Sequence, residues 1–149
     1  MNTSFEGLQS GHEFVLLDRS KMDLNKVRHY AWASGDYNTI HFDDASAQAM
    51  GLPSAIVHGM FELGLMTVAL EELAEQIFQN AKVKCSVKKL DTRFVGPALI
   101  SDSLSISAKI QSTTENSFTL QLYMYRNGVR QDLSATGTAL LEAIETHSF

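Results

Sequence analysis

Apolar residues recur every second position over the last third of the chain and in steps of three and four over its middle. Leu104, Ile106, Ala108 and Ile110 share one face of a predicted strand, and Phe118, Leu120, Leu122 and Met124 share one face of the next. Leu133, Ala135, Gly137, Ala139 and Leu141 form the inward side of a last strand, and Asn127-Gly128 predicts a tight hairpin before it. Adding the strand-like runs 83–94 and 13–17 gives an antiparallel sheet of about five strands with one apolar face.

The helical signals lie ahead of this sheet. A helix is predicted over 24–33, with Asp23 as N-cap and Leu24, Val27 and Ala31 on one face. The turn formers of 34–39 follow. Asp43 or Asp44 then caps a short helix through 45–50, which Gly51-Leu52-Pro53 ends. The longest helix runs over 59–80, with Met60, Leu63, Thr67, Leu70, Ala74 and Ile77 as a continuous stripe. Its first half is apolar almost all round and its second half carries Glu71, Glu72, Glu75 and Gln76, so its N-terminal end is expected in the core. A one-faced sheet and one buried helix pack together when the sheet curls around the helix, an α+β fold. No linker, repeat or low-complexity tract divides the chain, and one domain over 1–149 is expected.

Composition removes several functions. A net charge of −5 with scattered bases leaves no stripe for nucleic acid. The apolar run at 55–70 is interrupted by His58 and Glu62 and is too short for a bilayer. Residues 1–7 show no basic start followed by an apolar run, so a cytoplasmic protein without a signal peptide is expected. The single cysteine, Cys85, sits in a strand-like run and reads as a small buried hydrophobe. Lys84, Lys88, Lys89 and Arg93 form a modest basic group, read as a solvated face with phosphate binding as the alternative.

Chemistry concentrates in two segments, 34–41 and 57–60. Asp36 and His41 stand five residues apart across turn formers. A carboxylate and an imidazole in one small volume suit proton transfer near neutral pH; equally, Asp36 and Asn38 can simply make Asx turns beside a loop histidine. Gly59 falls where the long helix begins, and the free N–H groups there suit a developing oxyanion. Close packing is the other use of a glycine at that point, and the two are compatible. His58 reads as structural. His41, Asp43 and Asp44 are adjacent, but no second His or Cys lies at ligand spacing, so neither metal nor cofactor is expected.

The segments Ser34-Gly-Asp-Tyr-Asn-Thr-Ile-His41 and Ile56-Val-His-Gly-Met60 together resemble the hydratase 2 motif of MaoC-like (R)-specific enoyl-CoA hydratases. The resemblance extends over about residues 25–140, including Phe94-Val-Gly-Pro97. It implies a hot-dog fold, a homodimer, and reversible addition of water to a trans-2-enoyl thioester of CoA or acyl carrier protein. By the same resemblance Asp36 and His41 are the catalytic pair and Asn38 orients the site. Gly59 N–H holds the thioester carbonyl, and Thr67 supplies a hydroxyl near the pair. Thr39 departs from the usual proline, and Ser101-Asp102 stands where Gly-Asp is common. A thioesterase using Glu62 or Glu71 and a non-catalytic acyl-thioester-binding module are the rival readings.

Overall fold

The computed structural model describes residues 7–81 and 84–144, with side chains at 80 and 81 excepted. The expected strand start at 83, and the N-terminal segment 1–6 read for a signal, lie outside these residues. The elements in order are β1 (Glu13–Lys21), α1 (Leu24–Ser34), a 3-10 turn (Thr39–His41), α2 (Asp44–Ala49), α3 (Gly59–Ala81), β2 (Cys85–Phe94), β3 (Ser103–Thr113), β4 (Ser117–Arg126) and β5 (Leu133–Ala143). The strands form one antiparallel sheet in the order β1-β3-β4-β5-β2. Helix α3 packs against both edge strands, β1 and β2, which requires the sheet to curl around it. This is the hot-dog arrangement.

The two-residue period predicted the sheet face correctly. Leu104, Ile106, Ala108, Ile110, Phe118, Leu120, Leu122, Met124, Ala135, Ala139 and Leu141 are all buried in one core with α3. Gly137 has a local reason to lack a side chain, since a Cβ there would stand 2.5 Å from the Asp91 carbonyl oxygen of β2. The helix caps also form as expected. Asp23 accepts from Lys26 N–H and Asp43 from Ser46 N–H, while Gly35 closes α1 in the left-handed region. Cys85 is buried, and burial raises its thiol pKa.

Three expectations change. Strand β1 continues to Lys21 rather than stopping at 17, paired with β3 through two register shifts, one between Val15 and Leu17 and one between Leu17 and Ser20 that contains Arg19, whose φ is 47°. Asn127 and Gly128 do adopt positive φ, and Val129 N–H closes that turn on Arg126 O at 2.9 Å. A second turn, from Asp132 N–H to Val129 O, widens it, so the β4–β5 connection is longer than a tight hairpin. The third change concerns α3. Its buried side is Glu62, Met66, Ala69, Leu70, Leu73, Ala74 and Ile77, while Met60 (59% exposed) and Val68 (54%) face outward. The predicted stripe is right from Leu70 onward and rotated before it. Where every side of a turn is apolar, periodicity has no polar face to exclude.

Candidate active site

The loop between α1 and α2 is shaped by short polar side chains folding onto their own backbone. Asp36 Oδ1 accepts from Asn38 N–H at 3.2 Å, Asn38 Oδ1 accepts from Ile40 N–H at 3.3 Å, and Ser34 Oγ accepts from Asp36 N–H at 3.2 Å. The Asx turns of this segment are real, and they are compatible with either reading, because they hold Asp36 and His41 close to one another. Asn38 shapes the site as the cap of the 3-10 turn.

A second ribbon completes the site. Val57 N–H donates to Ala98 O at 2.8 Å and Ile100 N–H to Ala55 O at 3.2 Å, so segment 55–57 lies against segment 98–100. Asp102 supports the latter, accepting from Leu99 N–H at 2.8 Å and from Asn127 Nδ2 at 2.8 Å. Ile56 N–H then donates to Ile40 O at 3.1 Å, which ties the Asp36 loop to the lead-in of α3.

His41 is 6% exposed, with Nδ1 2.8 Å from the Ile56 carbonyl oxygen. A carbonyl only accepts, so Nδ1 carries the hydrogen and a neutral ring leaves Nε2 with its lone pair bare. That Nε2 lies 3.9 Å from Asp36 Oδ2, beyond direct hydrogen-bond length. Burial chiefly lowers the His41 pKa below its ordinary 6.5, and the neighbouring His58 adds to this; the Ile56 carbonyl and the Asp36 carboxylate hold it partly back. The carboxylate side is open, with the Asp36 side chain 51% exposed. Beside it lies a depression of about 490 Å3 whose lining includes Arg28, His29, Trp32, Tyr37 and Phe42.

His58 is the member that sequence reasoning undervalued. Its ring stacks on His41 with centroids 3.7 Å apart and planes 23° apart, and its Nε2 approaches the Asp36 carbonyl oxygen at 3.1 Å. Tyr30 packs against its edge at 4.9 Å and stacks on Phe61 at 5.2 Å. His58 is structural in the sense expected, yet it touches both members of the pair. Its sequence signal was its place in the segment Ile56-Val-His-Gly-Met60, just before Gly59.

Gly59 opens α3, and its N–H meets no acceptor among the described residues. A Cβ at this position would stand 3.3 Å from the Phe94 ring, so the glycine also serves close packing. The Thr67 hydroxyl, two turns along α3 from Gly59, donates back to Leu63 O at 2.9 Å. Of the two glutamates considered for hydrolysis, Glu62 faces the sheet and Glu71 is exposed.

Asp36, His41 and His58 offer ligand atoms within 4.8 Å of one another. No second His lies at ligand spacing from His41 along the sequence, but the ribbon 55–58 brings His58 beside it from a distant point in the chain. The two rings are stacked nearly parallel, however, and each commits a nitrogen to a carbonyl. Metal ligands need lone pairs that converge on one point, which near-parallel rings do not supply. The arrangement suits the holding and moving of a proton.

Comparison with known proteins follows the same lines. The chain is 39% identical over 46 residues to the 3-hydroxyacyl-thioester dehydratase X of Mycobacterium tuberculosis; the match covers 31% of this chain and 16% of that much longer protein. Its fold is similar to that of the unliganded (R)-hydratase PhaJ1 of Pseudomonas aeruginosa, with a TM-score of 0.75 at 18% identity, covering 99% of this chain and 94% of that one. It is also similar to the (R)-hydratase from A. caviae involved in PHA biosynthesis, with a TM-score of 0.69 at 23% identity, covering 92% and 98%. The family described as MaoC like domain matches residues 9–131, a span that contains both motif segments and runs from the loop before β1 to the β4–β5 turn. The chain belongs to the MaoC like domain family.

Proposed function

We propose that this chain is an (R)-specific hydratase/dehydratase that adds water reversibly to a trans-2-enoyl thioester, giving a (3R)-3-hydroxyacyl thioester. The observation that carries the reading is the His41 tautomer. With Nδ1–H fixed on Ile56 O, the bare Nε2 faces Asp36 Oδ2 across 3.9 Å, a gap that one bridging water spans. The lowered pKa keeps that nitrogen unprotonated near neutral pH, as a general base requires.

The water donates one hydrogen to His41 Nε2 and the other to the Asp36 carboxylate. As its oxygen bonds to C3, His41 takes the proton and the π electrons move onto the thioester as an enolate. The free Gly59 N–H at the head of α3 receives the enolate oxygen, a contact worth about 3 kcal/mol at comparable sites. The pair then returns a proton to C2 on the same face, so one water is added and no proton is lost. The (R) outcome rests on the motif resemblance, as does the thioester substrate.

The same resemblance brings a second copy of the chain, and the outward row Met60, Gly64 and Val68 on α3 is the apolar face a homodimer would cover. The deciding experiment incubates the purified protein with trans-2-enoyl-CoAs of increasing length. Loss of the conjugated absorbance with a (3R) product supports the proposal. Release of free thiol without hydration would establish a thioesterase, and binding without any spectral change a non-catalytic module.

A further inference from the structure

One buried polar cluster takes no part in the chemistry above. Glu62 lies on the inner side of the first turn of α3, 3% exposed, facing Ser134 of β5 and Arg126 of β4. Three polar atoms at this place are buried without a hydrogen-bond partner: Glu62 Oε1, Arg126 Nε and Ser134 Oγ. The serine hydroxyl is near enough to ease the acidity of Glu62 but does not make a well-formed bond to it. Unpaired buried polar atoms cost folding energy singly, and three converging from three elements mark a site for a shared partner. A single water has the donors and acceptors to serve all three: it would accept from Arg126 Nε–H, donate to Glu62 Oε1 and exchange a hydrogen bond with Ser134.

The charges at the cluster do not balance if every group ionises. Arg126 is already held by the Asp132 carboxylate through Nη2 and by the Pro97 carbonyl through Nη1. One guanidinium thus stands against two carboxyls, and Asp132, the more exposed, takes its charge. Glu62 has no cation to itself, and a bare buried carboxylate is far costlier than the acid. Burial raises its pKa from 4.5 to about 7 against smaller opposing pulls from Ser134 and Arg126. On the other side of this turn stand His58, whose carbonyl accepts from Glu62 N–H at 3.2 Å, and, packed on His58 or Phe61, His41, Asp36 and Tyr30. Segment 94–97, which packs beside the cluster, brings only Phe94, Val95, Gly96 and Pro97.

We propose that Glu62, Arg126 and Ser134 enclose an internal water, and that uncharged Glu62 is a positioning residue for the Gly59 amide at the head of α3. The cluster fixes the first turn of α3 to β4 and β5, and so fixes where Gly59 N–H points. When Glu62 ionises, a negative charge enters the turn that receives the enolate, and the oxyanion is disfavoured. The catalytic half of this proposal rests on the hydratase reading.

The test measures kcat and KM for enoyl-CoA hydration from about pH 5.5 to 9 in the wild type, Glu62→Gln, Glu62→Ala and Ser134→Ala. Wild-type kcat is expected to fall about tenfold per unit above about pH 7, with KM little changed. Glu62→Gln should keep the rate of the acid side to within about threefold and lose the fall, whereas Glu62→Ala should be slow at every pH. Removing the Ser134 hydroxyl, which holds the Glu62 pKa down, should move the fall to higher pH. An identical alkaline fall in Glu62→Gln, or a flat wild-type profile, overturns the catalytic role. The infrared carbonyl band of a protonated carboxylic acid, present in the wild type near pH 6 and missing in Glu62→Gln, reads the uncharged state without turnover. Its absence from the wild type overturns the cluster itself. A wild type with that band but no hydration at any pH overturns the hydratase reading and the catalytic half together.

Discussion

The first turn of α3 has polar groups on two sides, and they are satisfied to different degrees. On the loop side, His41 and His58 each place a ring nitrogen against a backbone carbonyl, His58 Nδ1 is buried without a partner, and the Asp36 carboxylate stays half open to solvent. On the sheet side, Glu62, Arg126 and Ser134 each keep a buried atom without a partner. The loop side leaves one lone pair, on His41 Nε2, facing the half-exposed Asp36 carboxylate across 3.9 Å. The sheet side leaves its free valences in the interior, where only a small resident molecule can reach them. Burial alone does not distinguish a reactive group from a structural one; what distinguishes them is whether the unpaired atom faces an opening.

The largest expected effect breaks the loop side. Asp36→Asn or His41→Ala should lower kcat for enoyl-CoA hydration by about a thousandfold or more with an unchanged circular dichroism spectrum. Near-normal turnover in either variant would remove the pair from the mechanism. The pH profile sharpens the same point. Because burial lowers the His41 pKa, activity should persist below pH 6.5 and be lost only as pH falls through that lowered value, when the cation can no longer accept a proton. Next is His58→Gln, which removes the stack on His41. We expect kcat to drop about tenfold, since the base keeps its Ile56 hydrogen bond but loses its lateral support.

Glu62→Gln probes the sheet side through stability. A carboxyl whose pKa is 4.5 unfolded and about 7 folded favours the native state fully below 4.5, and that contribution disappears as pH rises to about 7. The wild type should therefore lose up to about 3 kcal/mol across that interval that the glutamine variant does not lose. Urea titrations at the two ends of the interval check this, and parallel pH dependence in both proteins would refute it. Smallest is Thr39→Pro, which restores the usual motif residue. Asn38 already has φ −59° and ψ 127°, as a residue before proline requires, and Thr39 N–H has no acceptor among the described residues. A gain of about 0.4–1 kcal/mol in the thermal or urea transition is expected.

How much of this was legible in the chain depends on whether a signal is local. Asp23, Asp43 and Gly35 act on backbone within a few residues, so their sequence context suffices. Leu104 through Leu141 alternate strictly, and a two-residue period has only two faces to choose between. The orientation of the first turns of α3 was not legible, because Met60, Phe61, Leu63 and Leu65 are all apolar and only the surrounding sheet decides which is covered. The burial of Glu62 was not legible either: a lone acid in an apolar run gives no sign of the side it takes, and β4 and β5 cover it. The stack of His58 on His41 depends on hydrogen bonds between segments 55–57 and 98–100, more than forty residues apart. The motif resemblance groups Asp36, His41, Asn38, Gly59 and Thr67; of these the Asp36 and His41 side chains stand 3.9 Å apart, and the Thr67 hydroxyl donates to Leu63 O of its own helix.

The hydrogen bond from His41 Nδ1 to Ile56 O has a consequence for divergence. The atom that selects the tautomer belongs to the main chain, so the side chain at 56 is free to drift among residues that keep the ribbon extended. A lineage can therefore change the side chain at 56 without disturbing the tautomer of His41. Main chain and side chain of one residue answer here to different constraints.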